Sequence, residues 1–104
     1  MDSITEIAFQ IILHAGNGKS SAMEAIQKAK AGQFAEADQL IKEAGKELGK
    51  AHQYQTELLH EEANGEMAPV NVILVHSQDH LMTSMTVRDL AEEIIEIYRS
   101  RLLG

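Results

Sequence analysis

Cysteine and tryptophan are missing from the 104 residues, and proline occurs once. Without cysteine there is no disulfide framework, no thiolate nucleophile and no sulfur ligand for a zinc site. Aromatic residues make up only 4% of the chain, so any core has to be built from Leu, Ile, Val, Met and Ala. That palette, with abundant Ala, Glu, Lys and Gln, favours helix over sheet. Positive charge is scarce as well. Nine Lys and Arg face sixteen Asp and Glu, a formal charge of −7. Phosphate backbones are held by Lys and Arg, so this balance argues against nucleic acid as the main partner. No basic segment followed by an apolar run opens the chain after Met1-Asp2-Ser3, so no signal peptide is expected. No apolar run reaches the roughly 20 residues that cross a bilayer. A cytoplasmic location is expected.

The length suits one domain spanning residues 1–104. Such a chain folds with a thin margin of buried surface, and subunit association would widen it. From about Ser3 to Ala31, the residues Ile4, Ile7, Ala8, Ile11 and Ile12, then Ala22, Met23, Ala25, Ile26 and Ala29, recur at helical spacing. Gly16-Asn17-Gly18 interrupts them, and two glycines that close predict a break in this first helix. Gly18-Lys19-Ser20 does not complete a phosphate loop. The required first glycine is replaced by Leu13, and the stretch lies between helical segments and not after a strand.

A second helix is predicted from about Phe34 to Glu62. Phe34, Ala37, Ile41, Ala44, Leu48, Ala51 and Leu58 form its bundle-type seam, with Gln55 as the one interruption. After a turn at Asn64-Gly65-Glu66, Pro69 is suited to the first turn of a third helix that runs to about Leu102. This helix is apolar on more than one face, through Val72, Ile73, Leu74, Val75, Leu81, Met82, Met85, Leu90, Ile94, Ile95 and Ile97. Two partner helices cannot cover all of it, so the pattern predicts an all-α three-helix bundle that self-associates through its third helix.

Within that helix stand His76, Asp79 and His80, three polar groups among apolar neighbours and on one side of the helix. An imidazole with an ordinary pKa of about 6.5 is a competent nucleophile near neutral pH, which makes His76 a catalytic candidate. His80, one turn on, could orient it. The competing reading is a hydrogen-bonded core or surface histidine. Zinc hydrolysis is a weaker rival, because the residue after His76 is Ser77 where H-E-x-x-H requires glutamate, and a third ligand would have to be found in Asp79 or in the remote His14, His52 or His60. Asp79 projects from the apolar stripe of Val72, Val75 and Met82. In a symmetric interface its copies would meet, and such carboxylates need protons or a hard cation such as Mg²⁺ or Ca²⁺.

The string Val75-His76-Ser77-Gln78-Asp79-His80-Leu81-Met82-Thr83 resembles the signature of the lactose/cellobiose (chitobiose) class of enzyme IIA in the bacterial phosphoenolpyruvate-dependent sugar phosphotransferase system. His14-Ala15-Gly16-Asn17, Ala51-His52 with Gln55-Thr56-Glu57-Leu58, and Leu81-Met82-Thr83-Ser84-Met85 agree with it, so the similarity covers nearly the whole chain. Gly18-Lys19 departs from it, since the family often has Ala-Arg there. The resemblance implies an antiparallel bundle assembled as a homotrimer with the third helices around the threefold axis. It implies that His76 takes a phosphoryl group on Nε2 from phospho-HPr and passes it to a cysteine of the IIB component, which serves the membrane IIC component in uptake of a β-linked disaccharide. It further implies a divalent cation, Mg²⁺ in the first instance, shared by three Asp79 carboxylates, with His80 in support and no sugar bound directly. The alternative is a regulatory or scaffolding helical module without phosphotransfer.

Overall fold

The computed structural model describes residues 3–65 and 70–103. Three helices account for nearly all of them: α1 (Ser3–Lys30), α2 (Phe34–Ala63) and α3 (Val72–Leu103). The link between α1 and α2 is three residues long, with Gly32 at φ 77° and the Gln33 N–H donating to the Lys28 carbonyl. A positive φ of this kind closes a helix end most easily with glycine. So short a link sends α2 back along α1. At the far end of the molecule from that turn, Gln55 of α2 bonds Gln78 of α3, while Asp38 near the start of α2 pairs with Arg99 near the end of α3. The helices therefore run up, down and up in a rod of 55 × 19 × 19 Å. α1 packs along both others, and α2 and α3 meet over a smaller area.

Two expectations are corrected. α1 runs unbroken through Gly16-Asn17-Gly18. The glycines there serve packing and not a bend: a Cβ on Gly18 would stand 2.7 Å from Leu48 Cγ, so α2 lies against the bare backbone of α1. The first described helical residue of the third helix is Val72. The start is set by Asn71, whose side-chain oxygen accepts the Leu74 N–H at 2.9 Å, a capping bond that satisfies one of the first-turn donors. Pro69 and Glu66 lie outside the described residues.

The bundle is held by a seam of small residues. Ala8, Ala15, Ala22 and Ala29 of α1 fall seven apart and are buried, as are Ala37, Ala44 and Ala51 of α2 and Ser77, Ser84 and Ala91 of α3. A sevenfold repeat keeps one side of a helix facing its partners over its whole length. Small side chains there let the axes approach toward the short end of the usual 8–10 Å range. Larger residues fill the flanks in two clusters, one around Ile26, Ile41 and Ile95 and the other around Ile11, Leu48 and Leu81. Ser84 is a flaw in the seam, because its hydroxyl is buried with no hydrogen-bond partner. Replacing Ser84 with Ala removes that cost and is expected to raise stability by about 1 kcal/mol. A urea unfolding midpoint that falls in this variant would show the hydroxyl to be bonded.

Candidate functional site

The site is built on the second and third turns of α3. His76 is exposed and His80 half-buried. Their rings stack with centroids 5.4 Å apart and planes 15° from parallel, within the usual spacing of aromatic pairs. The two histidines sit one turn apart, as their spacing requires, and are in ring contact. His80 turns toward α1. Burial lowers its pKa below the ordinary 6.5, the charges of His76 and Lys19 push the same way, and Asp79 opposes them. At neutral pH it is thus a neutral imidazole that can donate from one nitrogen and accept at the other.

A chain of hydrogen bonds fixes this part of α3 against α2. Gln55 Nε2 donates to Gln78 Oε1 at 2.8 Å, Gln78 Nε2 donates to Ser77 Oγ at 3.3 Å, and the Ser77 hydroxyl donates to the Leu74 carbonyl at 2.7 Å. This accounts for the one polar interruption in the α2 seam. Gln55 sits where an apolar residue is expected because it bonds the residue two places after His76. Half-buried amides are retained where they find partners. Sequence reasoning missed Gln55 as a positioning group, although the break in periodicity marked it.

Asp79 lies about 100° around α3 from His80, given the helical angle per residue. It is exposed, and its carboxylate pairs with no Lys or Arg among the described residues. Around it runs an exposed stripe of Val72, Val75, Met82, Leu90 and Ile97. The surface left over from the bundle is therefore where the sequence pattern put it, with Asp79 inside it and His80 on the side toward α1. His14 is not part of this arrangement. Its Nδ1 donates to Glu47 at 2.6 Å and its ring stacks on Tyr54, tying α1 to α2. His52 and His60 are exposed on α2 and do not join the pair. Within one chain, no group of three or more metal-ligating side chains forms among the described residues.

Fold and site together define a class of protein, an all-helical rod that offers an imidazole pair on its surface and not at the bottom of a substrate pocket. Residues 6–99 match the family model for the lactose/cellobiose-specific IIA subunit of the phosphotransferase system. The chain is 56% identical to the lichenan-specific phosphotransferase enzyme IIA component of Bacillus subtilis (strain 168), over 93% of this chain and 88% of that one. It superposes on the crystal structure of the cellobiose-specific enzyme IIA of Bacillus anthracis with a TM-score of 0.96 and 45% identity, covering 100% of this chain and 95% of that one. It also superposes on a chain from a solution structure of the IIA(chitobiose)–HPr complex of the Escherichia coli N,N′-diacetylchitobiose branch, with a TM-score of 0.83 and 35% identity, covering all of both chains. The chain belongs to the lactose/cellobiose-specific IIA family of the sugar phosphotransferase system.

Proposed function

We propose that the chain is a phosphoryl carrier. Nε2 of His76 accepts the phosphoryl group of phospho-HPr, and the group then passes to a cysteine of a IIB component that works with membrane IIC in the uptake and phosphorylation of a β-linked disaccharide. The observation that carries this reading is the exposed His76 ring, held against His80 on a rigid helix in a chain of the IIA family. A related IIA protein occurs in complex with HPr, which supports HPr as the donor. An imidazole lone pair attacks phosphorus in line while the bond to the donor breaks, and the loose transition state leaves positioning and electrostatics as the protein's main contributions. Stacking on His80 limits rotation of the ring, and the Gln55–Gln78–Ser77 chain holds the helix that carries it. No helix among the described residues is long and apolar enough to cross a membrane, in keeping with a component that meets its partners in the cytoplasm. Incubation with phospho-HPr should place one acid-labile phosphate on His76. No uptake would sink the proposal and leave a regulatory or scaffolding module.

The exposed stripe on α3 is read as the core of a homotrimer, with three α3 helices around the axis. Each chain carries one Asp79, so only the assembly can bring several Asp79 carboxylates together. Three Asp79 carboxylates would suit a hard divalent cation such as Mg²⁺, which ligates through oxygen. The ion would supply charge neutralisation at the interface. Dialysis against EDTA is then expected to lower the melting temperature and shift the mass toward monomer, and Asp79→Asn is expected to remove that sensitivity. Unchanged mass and melting temperature after chelation would rule against a structural metal.

A further inference from the structure

We propose that Gly16 is a positioning residue for phosphoryl transfer, acting through His80. The proposal rests on the reading of His76 as the phosphoryl acceptor. A Cβ built on Gly16 would stand 3.2 Å from His80 Nε2, tighter than most real contacts of a Cβ. The His80 ring therefore occupies space that any other residue at position 16 would take. Its stacked neighbour is His76, so a shift of His80 is passed to the reacting ring.

Nothing in the backbone asks for glycine at this point. Among the described residues the positive-φ glycines are Gly32 and Gly65, and Gly16 lies in the middle of a regular helix, where alanine is the better helix former. The other helical glycines do different things. Gly18 admits Leu48 of α2, a Cβ on Gly45 would have Arg88 no nearer than 3.7 Å, and one on Gly49 would meet nothing within 4 Å. Gly16 is the helical glycine that borders the histidine pair. The α1 backbone thus forms the wall that sets how far His80 can withdraw from the surface, and with it the pose of His76.

Gly16→Ala tests this in the full-length chain. To make room, His80 must move by a few tenths of an ångström. Small misplacements of reacting groups are costly, so phosphoryl uptake from phospho-HPr should slow by about tenfold. The melting temperature should stay level or rise. In ¹⁵N-histidine spectra at one fixed pH, the ring signals of His80 and His76 should both move. In a His80→Ala background the same Gly16→Ala change should cost nothing further, because effects that run through one side chain do not add. If Gly16→Ala fails to fold alone but the double variant folds, the clash with His80 is likewise demonstrated. An unchanged transfer rate, or an equal penalty with and without His80, overturns the proposal. Should the wild-type chain take up no phosphate, the carrier reading itself fails, and the ring signals alone decide the point: unmoved signals overturn the positioning role.

Discussion

His76→Ala is expected to take up no phosphate from phospho-HPr, a drop of at least about four orders of magnitude, comparable to removal of a nucleophile elsewhere. The variant should stay folded with its oligomeric state unchanged. The reasons are local. His76 is exposed, contributes no buried surface to either core cluster, and is replaced by the best helix former. What it gives up is the stack on His80, worth about 1 kcal/mol between partly solvated rings. Radiolabel incorporation and light scattering on the same sample check both halves. A variant that loses phosphate uptake and also falls apart would place His76 in the interface and remove the case for it as an accessible acceptor.

Ala22→Leu is expected to destabilise the bundle by about 3 kcal/mol, the upper part of the usual range for overpacking. Ala22 is fully buried, in the middle of the small-residue seam and in the cluster that includes Ala44 of α2 and Ala91 of α3. A leucine there has no flank to turn into, so α1 must move away from its neighbours. For a domain of this size the loss corresponds to a fall in melting temperature of roughly 15 °C. Measurement at one fixed protein concentration keeps association from masking it. An unchanged melting temperature would mean that the seam is loose and that the helices are spaced by something other than alanine.

Much of this arrangement was legible in the residues. Apolar spacing located all three helices, and the surplus on the third marked the stripe that the bundle leaves exposed. The i, i+4 spacing placed His80 beside His76. Other features were misread because one residue type serves two physical ends. Gly16 and Gly18 read as helix breakers, since a missing Cβ frees the backbone, yet in the fold the same missing Cβ admits His80 on one side of α1 and Leu48 on another. Tertiary packing settles which use prevails, and a local window cannot see it. Pro69 suits a first helical turn, yet α3 starts later, because Asn71, a good capping residue, stands just before Val72. The sevenfold alanine spacing was present in the chain. It was hidden inside a broader apolar pattern that treated Ala and Ile alike.

The seam has a consequence in entropy. A leucine or methionine fixed in a core gives up rotamers, whereas alanine has none to give up. Along Ala8, Ala15, Ala22 and Ala29 the contact surface of α1 is therefore little more than backbone, and it has one shape. Helices that meet on such surfaces cannot adjust to one another by side-chain rearrangement. Their spacing is inherited from the main chain, so the α1 backbone at Gly16 is a fixed wall beside the His80 ring. A protein that must present the same imidazole to one partner after another gains from a core with so few ways to be arranged.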